Sequence, residues 1–532
     1  MHLHEVNYCT SRSTYESVLV ELNRTIYRTQ ELGPERVPAK RRRANLISKR
    51  FLDLCGISPS CIRKLNVIHV AGSKGKGSTC ALIESILREK GLRTGSLNSP
   101  HLIDVEERIR LNGRPLHRDV FTSRFWELHD VISGGIEMDD GERILPTYLV
   151  YLTTLAFKTF VEEQVDVAVI EVGLGGRFDH TNLVEDPAVT VVTGIHLEHT
   201  ERLGNTIEEI AWNKAGIFKP GVPAVIAHNI AAGAMRVFEH EAELVKCPLF
   251  VAPSLHELRS WTANDPKVLS QLDACIKDLP VSRSTEINAP LALAAVYLWS
   301  SRSAVCRENI DFKPLVFDGL SGLQPPLSFG LDAKQLQGLS SARWPGRFER
   351  IELGAGLTIF LDCAHTNESV QFAAEWFQRE SVATTAEKAS SVFRILLFTV
   401  LGNRDPLPML TSLQPLQFDC VFFVGLSDGP LVRLPSKASQ AERCLSAWRS
   451  LTTDALQTPP APAHILENSA ALLRDLKKWR SKNGDVPALL AYFGSEKVLS
   501  KGTTVQVLGT GSVYLVGDIL KNLRPEYEIR WT

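Results

Sequence analysis

Lys76 stands between Gly75 and Gly77 in the run VAGSKGKGST, residues 70–79, where a positive charge between glycines is set for an anion. Glycine lets backbone N–H groups turn toward a bound group, and a helix N-terminus adds its own partial positive charge. Gly72, Lys74, Gly75, Lys76, Gly77 and Ser78 therefore read as a phosphate cradle, with Lys76 supplying the full charge that phosphoryl transfer needs. The spelling departs from the common P-loop, which places Gly-Lys directly before Ser or Thr. Here Gly77 intervenes before Ser78 and Thr79, and Gly72 lies only three residues ahead of Gly75. A merely flexible exposed turn would not account for two lysines flanking Gly75.

The elements around the cradle fit that chemistry. Val67, Ile68 and Val70 predict a buried strand before it, and Leu82, Ile83, Ile86 and Leu87 share one face of a helix after it, which Gly91 ends. VDVAVIEVG at 165–173 and AVTVVTGIH at 188–196 are continuous β-rich runs, as in a parallel sheet covered on both faces. Glu171 closes the first run just before Gly173-Leu174-Gly175-Gly176, at the strand end where open α/β sheets place ligands. Thr206 and Glu209 form a capping box, and Ile207, Ile210, Ala211 and Ile217 put Lys214 on the buried face of the helix that follows. A buried lysine needs an anionic partner, a depressed pKa or a modification, unless its stem packs while the ammonium snorkels out. Lys219 reads as a favourable helix-end charge.

A chain of 532 residues exceeds one core. The βα alternation restarts after Trp344, with strands expected at 393–400, 420–426 and 504–509 and a helix from Ser512. The fold class is α/β: a P-loop-type parallel-sheet ATPase domain over 1–330, a linker at 331–343 and a smaller Rossmann-like domain over 344–532. The linker overlaps a stretch, 314–340, rich in Pro, Gly, Ser and Leu. Residues 426–465, heavy in Ser, Pro and Ala, read as a surface insertion, and GTGS at 509–512 as a tight turn.

With 44% apolar and 22% charged residues and a formal net charge of −1, the composition is that of a soluble enzyme without general attraction to nucleic acid or membrane. The basic run 40–43 reads as a solvated helix face. Ten cysteines without C-x-x-C spacing point to reduced thiols rather than zinc or a disulfide frame. No apolar run reaches the ~20 residues needed to cross a bilayer. MHLHEVNYCTSRS at the N-terminus lacks a secretory hydrophobic stretch. A cytoplasmic protein, with room for a mitochondrial form, is expected.

Eight motifs in order give the chain a family resemblance: GSKGKGST, NSPHL, ERIRLNG, EVGLGGRFDHTN, IAWNKAGIFK, RWPGRFE, LDCAH and TGSVYLVGD. From about residue 14 to 525 it resembles the folylpolyglutamate synthases, in the Mur-ligase superfamily of ATP-dependent amide ligases. The resemblance implies ATP-driven joining of L-glutamate to the γ-carboxyl of folate or folylpolyglutamate through an acyl phosphate. It also implies ATP and two magnesium ions as cofactors, folate, L-glutamate and ATP as partners, and a monomer. SPHL and ERIRLNG match folate ligases better than cell-wall ligases.

Residue by residue, the resemblance makes Ser99, Glu171 and His199 magnesium-site residues. Without it, Glu171 could be a strand-end carboxylate facing water and His199 an ordinary loop histidine. The lysine matching Lys214 is carbamylated in such ligases, which turns a cation into a carboxylate that helps hold the second magnesium. Asn288, Arg347 and Asp362 match nucleotide contacts: Arg347 to phosphate across the cleft, Asp362 to a ribose hydroxyl. His365 would stand near the acyl phosphate.

The chain departs from the family pattern at three places. Glu198 precedes His199 where Asp is usual, Ser284 and Thr285 replace His-Gln ahead of Asn288, and Cys363 replaces a glycine. The first bears on the metal surroundings. The second bears on the nucleotide base, which predicts weaker ATP binding. Two alternatives stand beside the folate ligase: a related ligase for another acid (dihydropteroate or a secondary metabolite), and a nucleotide-binding protein without ligase activity. ADP release stimulated by an acid plus an amine separates ligases from the last.

Overall fold

The computed structural model describes residues 14–30, 43–278, 283–302, 319–354, 356–385, 391–402, 404–426, 437–451, 461–481 and 503–523. In chain order the first strands are β1 (Ile68–Ala71), β2 (Thr94–Leu97), β3 (Ile109–Leu111), β4 (Arg114–Pro115) and the small hairpin β5 (Ile136–Glu137) with β6 (Arg143–Ile144). Then come β7 (Val167–Glu171), β8 (Val189–Val192), β9 (Ala224–Ile226), β10 (Pro248–Val251) and β11 (Gly322–Leu323). Outside the hairpin they form one nine-stranded sheet in the order β11-β10-β9-β8-β1-β7-β2-β3-β4. It is parallel from β11 to β2 and ends in the antiparallel β3 and β4.

Every residue of β1, β7 and β8 is buried, because helices cover both faces of the sheet. The helix Lys76–Glu89 packs beside Arg283–Arg302 and Ala333–Ser341 around Ile83, Ile86, Trp299 and Leu339. Tyr15–Gln30, Ala44–Leu54, Arg118–Ile132 and Tyr148–Glu162 cover the other face through Phe51, Phe121, Phe125 and Phe157.

A second sheet holds β12 (Glu349–Glu352), β13 (Leu357–Leu361), β14 (Ser391–Phe398), β15 (Cys420–Val424), β16 (Ala463–Leu466) and β17 (Thr503–Thr510). Its order is β12-β13-β17-β14-β15-β16, parallel except for β12. The helix Val513–Leu523 follows β17 and packs on it through Leu515, Val516, Ile519 and Leu520.

Two stretches differ from the composition-based reading. The segment 331–343 carries the helix Ala333–Ser341, and a Cβ on its Gly338 would come within 2.5 Å of the Ile86 Cα. Buried Leu336 and Leu339 fix it to the first core, so it is not a bare tether. The expected surface insertion at 426–465 contains the helix Lys437–Ser450, whose Ala441, Cys444 and Trp448 are core residues, and the paired edge strand β16. Small side chains let that helix lie close to the sheet, a packing role that composition conceals. Residues 427–436 and 452–460 lie outside the described residues, as do 40–42 of the basic run and the N-terminal residues 1–13. Arg43 pairs with Asp140 at 2.9 Å. Among the described residues no helix is long and apolar enough to cross a membrane, and all eight cysteines are free.

Candidate active site

β1 lies between β7 and β8, so three parallel strands deliver their C-terminal ends to one place. Val70 is the register partner of both Glu171 and Val191, which brings the glycine loop out between Glu171 and Thr193. The loop is fastened on one side: Ser73 N–H donates to Gly194 O at 2.8 Å, and Thr193 Oγ1 donates to Lys74 O at 2.6 Å. Gly72, at φ +145°, has no space for a side chain, since a Cβ there would meet Thr193 Oγ1 at 1.8 Å. Gly75 is left-handed at φ +89° and caps the helix Lys76–Glu89, and its missing Cβ leaves room for Asn288 Oδ1. Asn288 therefore packs directly on the loop. The half-buried Ser78 lies in the first helical turn, and the ring of Trp344 covers Gly77. Lys76 Nζ rests on Gly72 O at 3.0 Å and Ser73 O at 3.5 Å, so its ammonium stays inside the cradle.

Glu171 is buried at the end of β7. Its Oε2 accepts from Ser99 N–H at 3.0 Å and from Asn98 Nδ2 at 3.3 Å, just before the cis Ser99–Pro100 bond. Burial raises its pKa, with Lys76 and the two hydrogen bonds opposing. Asn98 Oδ1 and Thr79 Oγ1 are also buried and lack hydrogen-bond partners. A buried carboxylate with orphaned oxygens at a phosphate loop fits a hard, partly hydrated cation such as magnesium. Among the described residues no three His, Cys, Asp or Glu side chains form a metal cage.

Lys214 is 1% exposed on the helix Ile207–Ala215, which the Thr206–Glu209 capping box starts. Its Nζ donates to Glu198 Oε1 at 3.2 Å, and Lys74 Nζ stands 3.9 Å from Glu198 Oε2. Burial, and then the charge of Lys76, lower the Lys214 pKa to about 7. Burial opposes ionisation of Glu198, but Lys214, Lys76 and Lys74 together hold it below the usual carboxylate range. His199 occupies a left-handed position at φ +47°, and burial keeps its imidazole below its ordinary value.

Across from the loop, β13 runs into Asp362-Cys363-Ala364-His365. Asp362 Oδ2 accepts from Phe348 N–H at 3.0 Å and Oδ1 from Ala364 N–H at 2.9 Å. Burial raises its pKa to about 6. Arg347 lies near both Asp362 and Glu171. Although burial works against its charge, Cys363 and those two carboxylates raise its pKa. His365 Nδ1 lies 2.9 Å from Cys363 O, so it must donate and Nε2 keeps a lone pair. Burial and the neighbouring Lys74 lower the His365 pKa to about 3, so the ring is neutral.

The candidates thus gather in one cleft between the two sheets. The sequence reading missed several participants. Asn98, inside the quoted NSPHL run, orients Glu171. Thr193 fastens the loop, and Arg110 stacks 4.2 Å from the Trp344 ring centroid beside it. Glu198, singled out only as a departure, links Lys74 to Lys214. Cys363 is buried with its thiol pushed up to about 12, so it is a packing residue. Ser284 and Thr285 lie in the first turn of the helix Arg283–Arg302, and their side chains are outside the described residues.

No family model matches the chain. It is 34% identical over 525 residues to the mitochondrial folylpolyglutamate synthase of Homo sapiens, covering 89% of this chain and 86% of that protein. The folylpolyglutamate synthase of Mycobacterium tuberculosis complexed with ADP superposes with a TM-score of 0.64 at 22% identity, covering 96% of this chain and 98% of that one. A bifunctional folylpolyglutamate synthase/dihydrofolate synthase with Mn, AMPPNP and L-glutamate bound superposes at 0.57 and 21% identity, covering 90% and 94%.

Proposed function

The chain belongs to the folylpolyglutamate synthase family, and on that premise we propose how its own residues carry out the reaction. It is an ATP-dependent ligase that adds L-glutamate to the γ-carboxyl of folate or folylpolyglutamate, releasing ADP and phosphate. The observation that carries the mechanism is the register pairing of Val70 with Glu171, which sets the phosphate loop beside a buried carboxylate.

A carboxylate is a poor electrophile, so the folate γ-carboxylate first takes the γ-phosphoryl group of ATP to give an acyl phosphate. The glutamate amine then displaces phosphate and forms the amide. Lys76, with the N–H groups of Gly75, Gly77 and Ser78, offsets charge spreading over the phosphate oxygens. Gly72, Lys74 and Asn288 complete the nucleotide side. Arg347 meets the phosphates from the opposite sheet, and Asp362 accepts from the ribose. Neutral His365, with its Nε2 lone pair turned from Cys363 O, is placed as a hydrogen-bond acceptor near the acyl phosphate rather than as a base, since its depressed pKa keeps it unprotonated.

A magnesium ion bound here would supply positive charge against the charge developing on the phosphate oxygens. Ser99 and Glu171 would hold one ion, and His199 with carbamylated Lys214 a second. The lowered pKa of Lys214 supports this reading, because only a neutral amine adds carbon dioxide. In its charged form the lysine is balanced by its contact with Glu198.

The division at 1–330, 331–343 and 344–532 and a monomeric state belong to the same reading. The free cysteines support a reducing compartment, cytoplasmic with a mitochondrial form. The test is to incubate the protein with ATP, magnesium, reduced folate and L-glutamate and weigh the products. A folate heavier by one glutamyl residue is expected. Turnover of another acid with folate untouched would overturn the substrate assignment.

A further inference from the structure

Among the described residues, Arg108 beside the cleft has no carboxylate counter-ion. Arg108 ends the short 3-10 turn Val105–Arg108, and its Nε donates to His101 Nδ1 at 3.0 Å. Its guanidinium lies 5.3 Å from the centroid of the Tyr148 ring. No described carboxylate pairs with it, whereas Arg118 nearby is held by both Asp104 and Glu106. Because arginine only donates, His101 Nδ1 accepts and the ring proton sits on Nε2. The Tyr148 hydroxyl is buried without a partner. A guanidinium, an imidazole N–H and a partnerless phenol O–H thus stand together without a carboxylate among the described residues. Such a cluster costs a folded protein stability unless an anion completes it.

Its position adds meaning. His101 follows Ser99 by two residues through the cis Ser99–Pro100 bond, and Ser99 N–H is fixed on Glu171. Glu107 holds the loop between them and Arg108, accepting from the N–H groups of Leu102, Ile103 and Asp104 at 2.8, 3.1 and 2.8 Å. Leu102 and Ile103 pack on the core of the second sheet. Tyr514, on the helix Val513–Leu523, is near enough to Tyr148 to oppose ionisation of its phenol. The cluster therefore lies where the two sheets' layers meet, beside the reacting centre.

We propose that Arg108, His101 and Tyr148 form a carboxylate-binding subsite for the non-reacting carboxylate of a glutamyl group. The proposal rests on the folate-ligase reading. The terminal glutamate of a folate carries two carboxylates, and selecting the γ-group requires the other to be held away from the phosphate. A planar guanidinium with flanking N–H and O–H donors suits that group. The incoming L-glutamate offers the same chemistry, and the experiment separates the two sources.

Titration calorimetry on wild type, Arg108→Gln and Tyr148→Phe would use p-aminobenzoyl-L-glutamate, p-aminobenzoate and L-glutamate as probes, with ADP and magnesium present. Arg108→Gln should weaken p-aminobenzoyl-L-glutamate roughly ten- to hundred-fold, and Tyr148→Phe several-fold, without changing ADP affinity. Tyr148→Phe removes only a hydroxyl that has no partner, so it guards against misfolding of the arginine variant. A selective loss of L-glutamate binding would support the subsite and assign it to the incoming amino acid. Equal affinities across the three proteins, or no binding of either glutamyl probe to wild type, would overturn it. Wild-type turnover of folate, scored in parallel, tests the parent reading. Turnover without a calorimetric difference defeats the subsite alone; the difference without turnover defeats the folate assignment alone.

Discussion

Gly517 and Leu102 meet backbone to backbone: a Cβ on Gly517 would stand 2.0 Å from the Leu102 carbonyl oxygen. One residue belongs to the last helix, the other to the loop after Ser99, so this contact fastens the second sheet's layer to the site. A carbonyl cannot rotate aside as a flexible side chain can. Gly517→Ala should therefore separate the two surfaces despite alanine's better helix propensity, worth about 1 kcal/mol. The expected result is a lower melting temperature, reflecting about 1–3 kcal/mol of overpacking, and at least roughly tenfold slower turnover. Wild-type values for both would refute the contact's role.

Lys76→Ala should fold normally, because Lys76 Nζ touches only the carbonyl groups of its own loop. Turnover at saturating ATP should drop on the order of 10²–10³-fold or more, as for other lost transition-state donors. Near-normal turnover in a protein of unchanged melting temperature would remove the cradle assignment.

Lys214 makes stability depend on pH with a defined sign. Its folded pKa of about 7 lies below the ordinary 10.5, so between those values the unfolded chain holds more protons. Its contribution to stability therefore rises with pH through that window, and below it the cost of burying the charged form is fully felt. The melting temperature of wild type minus that of Lys214→Met should increase from about pH 6 to about pH 10. A flat difference would mean the amine is not depressed. Labelled bicarbonate should give a carbamate NMR signal in wild type that Lys214→Ala lacks. The same variant should be nearly inactive, with partial rescue by acetate or formate. Absence of the signal in active enzyme would end the carbamate proposal.

Asp362→Asn should cost about 1–3 kcal/mol, because both carboxylate oxygens accept backbone N–H groups and an amide has only one acceptor. Asp362 also has a raised folded pKa of about 6, so its contribution to stability falls as pH rises from about 4 to about 6. The asparagine variant should lose that slope and bind ATP more weakly. Chemical denaturation at several pH values and nucleotide titration measure both; an unchanged slope would count against the buried-carboxylate account.

Periodicity and turn chemistry determined much of this protein locally. The run 67–70 had to be a strand and Leu82, Ile83, Ile86 and Leu87 one helical face, since each pattern depends on residues a few positions apart. The Thr206–Glu209 box and the burial of Lys214 were legible for the same reason. Eight ordered motifs also named the candidate residues. What no local pattern holds is who faces whom. The pairing of Glu198 with Lys214, the seating of Asn288 under Gly75 and the packing of Leu102 on Gly517 each join segments brought together only by the sheet order and the docking of its layers. The helix inside 331–343 was hidden, and the surface-insertion reading failed at 426–465, for a related reason. Small and polar residues look like loops in composition, yet they let a helix lie close to its neighbour. That Arg108 meets His101 and Tyr148 but no carboxylate among the described residues was equally invisible, because what surrounds a charge is supplied only by the folded chain.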